Sequence, residues 1–125
     1  MPHVTIEYTA NLHALDLDRR ALLEDLHEQL AALGEGIVRA DIKSRFISLE
    51  DYLIGDGRTA NSFVHARLAL LDKRTEDFKA QAAQTVLNVL TRHYVPSGLK
   101  MPCELCAEVV DIVPSRYKKQ LISHE

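Results

Sequence analysis

Pro2 follows Met1 and opens a run, His3-Val4-Thr5-Ile6-Glu7-Tyr8, in which Val4, Ile6 and Tyr8 alternate with His3, Thr5 and Glu7. Alternation of this kind is the period of a half-buried strand. Proline donates nothing to a strand ladder and is tolerated as a strand's first residue. A small residue at position two permits removal of Met1. Pro2 would then present a free secondary amine, fixed by its ring at the start of a rigid strand. A neutral amine so placed is a candidate general base. If Met1 is retained, the same nitrogen is an amide and has no basicity to offer.

Other residues carry chemistry of more ordinary kinds. Lys43 and Arg45 lie in the run Ile42-Lys43-Ser44-Arg45-Phe46-Ile47-Ser48-Leu49. On a strand, residues two apart share a face, so both cations project together. Taken singly, each reads first as surface charge. Cys103-Glu104-Leu105-Cys106 is a C-x-x-C without the second pair a zinc site needs. Its cysteines, three apart on a strand, point to opposite faces. His27-Glu28 does not open an H-E-x-x-H, because Ala31 stands where the second histidine belongs. His65 reads first as a core or interface histidine, and second as a reserve base. Gly55-Asp56-Gly57 is not a phosphate loop, since no strand-to-helix switch follows it.

The elements that must position these residues are legible in the pattern. After the first strand, Thr9-Ala10-Asn11 predicts a turn. Asp16 or Asp18 caps a first helix, in which Leu22, Leu26, Leu30 and Leu33 recur at helical spacing and Leu23 widens the stripe. Gly34 stands where a left-handed residue ends a helix. Residues 42–49 form the second strand. Residues 50–62 form a turn-rich excursion with room for a short hairpin. Residues 63–71 form the third strand, with Val64, Ala66, Leu68 and Leu70 on its apolar face. The second helix begins near Thr75, has Glu76 and Asp77 in its first turn, and buries Phe78, Ala82, Val86, Val89 and Leu90. Pro96-Ser97-Gly98 ends it. The fourth strand runs over 104–113 and stops at Pro114. The polar tail, 115–125, lacks a core-facing stripe and is expected to pack on a neighbouring subunit.

Strand-helix-strand thus occurs twice, each time with a helix long enough to cross back over a sheet. The expected fold class is α+β: a four-stranded mixed sheet with two helices on one face, in one domain over 1–125. The other face is left with little to cover it, which points to oligomerisation.

Composition bounds the function. The 125 residues are 46% hydrophobic and 26% charged, enough apolar material for a core in a domain of this size. A net charge of −3 with no basic block argues against a nucleic-acid partner. The sequence has neither a signal-peptide pattern nor a run long enough to span a membrane. Two cysteines give no disulfide framework, and the expected compartment is the cytoplasm.

Pro2-His3 at the start, Ile42-Lys43-Ser44-Arg45 in the second strand, Asp56-Gly57 in the excursion, Phe63-Val64-His65 in the third strand and Arg74 before the second helix resemble, in joint order and spacing, the 5-carboxymethyl-2-hydroxymuconate isomerase family of the tautomerase superfamily. The resemblance runs over nearly the whole chain, though no single motif in it is specific. It implies a homotrimer whose sheets face inward as a barrel. It also implies a free N-terminal proline, Pro2, as the acid-base residue, and cationic side chains, here Lys43, Arg45 and Arg74, holding the carboxylates of a small polycarboxylate enol. The implied reaction moves a proton from the 2-hydroxyl of a dienol to a distant carbon and needs no cofactor and no metal. The family's usual Ile-Arg-Ser-Arg is Ile-Lys-Ser-Arg here. Lys43 keeps the charge but loses the bidentate fork of arginine. A relative acting on another enol acid, or a trimeric binding protein whose proline is never freed, remains an alternative at this level.

Overall fold

The computed structural model describes residues 1–124. Six main elements follow one another. They are β1 (His3–Thr9), α1 (Arg19–Ala32), β2 (Lys43–Leu49), β3 (Ser62–Leu71), α2 (Glu76–Tyr94) and β4 (Cys103–Ile112). The sheet order is β2-β1-β3-β4. β1 runs parallel to β2 and antiparallel to β3, and β3 runs parallel to β4, so each strand-helix-strand unit contributes one parallel pair. This is the mixed sheet that the element order predicts.

Strand alternation decides which face is covered. Val4, Ile6 and Tyr8 on β1 and Val64, Ala66, Leu68 and Leu70 on β3 are buried. They meet Leu22, Leu26 and Leu30 of α1 and Phe78, Ala82, Val86, Val89 and Leu90 of α2 in one cluster. Both helices therefore lie on the same face. Asp18, rather than Asp16, caps α1, accepting from the Ala21 amide at 3.0 Å. Thr75 caps α2 through the Phe78 amide. Asp25 on α1 ties the two helices together, accepting from Arg92 and His93 on α2 at 2.8 Å each.

The opposite face carries His3, Thr5 and Glu7 beside Lys43, Arg45 and Ile47 on one side and Ala69, Arg67 and His65 on the other. No helix covers it. The excursion differs from expectation: residues 50–61 hold turns and bends but no strand, so there is no hairpin. Gly55 and Gly57 both have positive φ, and Asp56 accepts from the Arg58 amide. Positive φ at these glycines would suit a hairpin turn, but the flanking residues of 50–61 offer no apolar alternation that pairing would bury. Among the described residues, no helix is long and apolar enough to cross a membrane.

Candidate active site

β1 starts at the same end of the sheet at which β2 starts. Pro2 is buried, and its carbonyl accepts from the Lys43 amide at 3.0 Å, which extends the parallel ladder by one step. Its nitrogen thus lies just beyond the first register pair, His3 with Lys43. Met1 is attached, and its ammonium donates to the Asp41 carbonyl at 2.8 Å; Lys43 Nζ donates to the same oxygen at 3.1 Å. Two cations converging on one carbonyl repel each other. The terminal ammonium is held below its ordinary value by burial first, then by the hydrogen bond and charge of Lys43 and by the charge of Lys119, with Asp41 opposing. Removal of Met1 would shift the free amine back by one residue, into the same cationic surroundings.

Pro2 also lines a small cavity of about 70 Å³ with Gly36, Ile37, Leu70 and Arg74. Arg74 is committed largely to the backbone. It donates through Nη2 to the Glu35 carbonyl at 2.8 Å and through Nη1 to the Leu71 carbonyl at 3.4 Å, and its guanidinium lies 5.7 Å from the centre of the Phe78 ring. Its buried Nε has no partner among the described residues. Glu35 sits at φ 53 between Gly34 and Gly36, both also left-handed. That turn aims the Glu35 carbonyl at Arg74.

Arg45 is exposed on the uncovered face. It donates through Nε to the Thr5 hydroxyl at 3.3 Å and through Nη1 to His3 Nδ1 at 3.2 Å. The structure therefore gathers Lys43 and Arg45 on the sheet side of the start of β1 and places Arg74 on the opposite side. His3 joins them. Its imidazole is held below the usual histidine range by burial first, then by Arg45, the terminal ammonium and Lys43. The alternation of the first strand puts His3 on the same face as Thr5, but only the register with β2 brings it to Arg45. The tail supplies Tyr117, which no sequence pattern singled out.

His65 belongs elsewhere. It opposes Glu7, five residues along β1 from Pro2, roughly 17 Å at about 3.4 Å per residue. Its Nε2 lies 2.7 Å from a Glu108 carboxylate oxygen, which Arg67 approaches at 3.6 Å. Within one chain His65 stands far from the Pro2 nitrogen. A concavity of about 810 Å³ opens beside it, lined by Glu7, Leu49, Phe63, His65, Arg67 and Cys106 among others. None of Pro2, Lys43, Arg45 or Arg74 reaches it, and its one guanidinium already leans on Glu108. Its size reflects a sheet face left uncovered in a single chain. Cys103 and Cys106 are free and pair with β3 residues of opposite facing, Ser62 and His65, and among the described residues no group of metal-ligating side chains gathers.

A family model described as 5-carboxymethyl-2-hydroxymuconate isomerase matches residues 2–125. The chain belongs to the 5-carboxymethyl-2-hydroxymuconate isomerase family. It is an isomerase of the tautomerase superfamily, with that superfamily's fold. A 5-carboxymethyl-2-hydroxymuconate isomerase from Deinococcus radiodurans R1 is similar at 28% identity and TM-score 0.83, over 95% of this chain and 88% of that one. A 5-carboxymethyl-2-hydroxymuconate delta-isomerase shares the fold at 19% identity and TM-score 0.82, over 97% and 88%. A fused 4-OT described as a symmetric trimer shares it more distantly, at 16% identity and TM-score 0.63, over 91% and 89%. Comparison with curated proteins gives no match.

Two histidines near the site end of the sheet bear on stability. His3 is held low as described, and His27, whose Nε2 lies 2.6 Å from the Ser44 hydroxyl, is held low by burial first and then by Arg39. Both folded values lie below the ordinary value of about 6.5. Between the two values the unfolded chain binds more protons than the folded one, so stability rises with pH there. It is fully present above about pH 6.5 and is lost as pH falls through the folded values. The urea midpoint is expected to be lower at pH 5.5 than at pH 7.5. An equal or higher midpoint at pH 5.5 would contradict these assignments.

Proposed function

We propose that this isomerase converts the dienol 5-carboxymethyl-2-hydroxymuconate to its unsaturated ketone, in the breakdown of homoprotocatechuate in the cytoplasm, with Pro2 as the acid-base residue once Met1 is removed. The amine of Pro2 takes the proton of the 2-hydroxyl. The resulting dienolate is then reprotonated at a distant carbon by the same ammonium, so the proton count closes and no redox step occurs. Arg45 and Lys43 hold carboxylates on the sheet side, and Arg74 receives one on the cavity side. The observation that carries this reading is the set of cations around the start of β1.

Those cations act twice. They disfavour an ammonium beside them, which raises the neutral fraction of an amine whose ordinary value is about 8. At pH 7 roughly a tenth of such an amine is neutral without help, so this effect gives at most about tenfold. They also hold the substrate and offset the charge of the dienolate, where larger gains are available.

Ketonisation of the purified dienol, followed by its ultraviolet absorbance, tests the substrate. The tricarboxylate dienol is expected to exceed a monocarboxylate enol such as the enol of phenylpyruvate by about 100-fold in kcat/KM, the scale of one charge-assisted bond at about 1.5–3 kcal/mol. The reverse preference would assign the site to another enol acid, the reading that Lys43 in place of an arginine favours.

A homotrimer is part of the same proposal. Its supports are the uncovered sheet face, the likeness to a fold seen in a symmetric trimer, and a tail in which Leu121 and Ile122 are 84% and 89% exposed. Sedimentation equilibrium is expected to give a mass near three chains of 14.1 kDa. A monodisperse monomer at micromolar concentration would remove this part of the proposal.

A further inference from the structure

Two residues packed around the start of β1 have no part in the chemistry above, His3 and Tyr117. His3 Nδ1 lies 3.2 Å from Arg45 Nη1, and His3 Nε2 lies 2.9 Å from the Tyr117 hydroxyl. The two rings meet edge-on with centroids 6.0 Å apart. Tyr117 stands just beyond the short turn of 3₁₀ helix, Pro114–Arg116, that follows β4. The contact therefore reaches from one end of the chain to the other.

The donors and acceptors in this chain of contacts are fixed by chemistry. A guanidinium only donates. Arg45 must therefore donate to Nδ1, which leaves Nδ1 as the bare nitrogen and puts the imidazole proton on Nε2, where it is donated to the Tyr117 oxygen. A second proton on His3 would have to go onto Nδ1, facing the guanidinium, and would break that bond. The groups facing His3 are Arg45 and Lys43 from β2, the chain's terminal ammonium, Tyr117 from the tail and Ala69 across β3. None is an anion that would hold the second proton in place.

We propose that His3 and Tyr117 are positioning residues for Arg45: the segment after β4, acting through Tyr117 and the His3 imidazole, fixes the guanidinium in the orientation that receives a substrate carboxylate, a role that rests on Arg45 being a carboxylate holder. Arg45 is exposed, and its other anchor is a 3.3 Å bond to the Thr5 hydroxyl. A long side chain held so loosely gives up rotamer freedom when it binds. A bond to His3 made in advance removes part of that cost, and the Tyr117 hydroxyl keeps the ring from turning its bare nitrogen away. Nη2 makes no hydrogen bond among the described residues and is left for the ligand.

Steady-state KM and kcat for the dienol, measured in wild type, Tyr117→Phe, His3→Gln, Arg45→Ala and the double variant Arg45→Ala/Tyr117→Phe, test the proposal. Tyr117→Phe is expected to raise KM about 3- to 10-fold, the scale of one net hydrogen bond, with kcat held. That rise should vanish when Arg45 is already alanine. Wild-type KM should also rise as pH falls through the His3 value, which lies below the ordinary histidine value of about 6.5. His3→Gln should lose that acid limb, because its side-chain oxygen still accepts from Arg45 and cannot be protonated there. A Tyr117→Phe rise of equal size with and without Arg45, or no rise at all, overturns the positioning role and leaves the carboxylate clamp standing. An unchanged KM in Arg45→Ala overturns the clamp, and the positioning role with it.

Discussion

Pro2→Ala is expected to leave the fold intact and to lower kcat by about one to three orders of magnitude, the range for a displaced general base. The fold should survive because proline donates nothing to the ladder, and the Pro2 carbonyl that accepts from the Lys43 amide is kept by alanine. Alanine is small enough for Met1 still to be removed. What changes is the base: a secondary amine fixed by its ring becomes a primary amine free to turn about its own bond. The surrounding cations are unchanged, so kcat/KM should still show a basic group titrating below the ordinary α-amino value of about 8. Circular dichroism and sedimentation on the same sample separate a lost base from a lost structure. Wild-type kcat in Pro2→Ala would mean that the ring contributes nothing.

The second large effect belongs to Arg45. Arg45→Ala is expected to lower kcat/KM for the dienol by about 10- to 100-fold, from the loss of one charge-assisted bond at about 1.5–3 kcal/mol. Stability should change little, because the side chain is exposed and anchored only by the bonds to Thr5 and His3. Arg74 differs here. Its guanidinium joins the turn at Glu35 to the end of β3, so its loss would cost structure as well as any carboxylate contact. That makes Arg45 the cleaner test of the clamp. Unchanged kinetics in Arg45→Ala would return the residue to ordinary surface charge.

Much of this arrangement is legible in the sequence because local pattern and tertiary burial agree. Leu22, Leu26 and Leu30 recur at helical spacing and are the buried residues of α1. Val4, Ile6 and Tyr8 alternate along β1 and point into the core. The same alternation puts Lys43 and Arg45 on the open face and Cys103 and Cys106 on different faces. Registers between distant strands are another matter. Nothing near His3 says that Arg45 will be its neighbour; the parallel pairing of β1 with β2 decides it. Tyr117 lies in a segment with no periodicity, and its contact with His3 depends on where β4 ends. The excursion departs from its pattern for a different reason: Gly55-Asp56-Gly57 suits a hairpin turn, but strand pairing needs flanking residues that gain by it, and 50–61 lacks an apolar alternation to provide that.

The proposed role of the Pro2 nitrogen as the base is decided by intact mass and dienol isomerisation measured on one natively expressed sample, beside a second sample carrying one extra residue before Pro2. The native chain should be lighter by one methionine and active, and the extended chain should keep the native oligomeric state but transfer no proton, because its Pro2 nitrogen is an amide. An extended or Met1-retaining chain that turns the dienol over at the full rate would contradict that role.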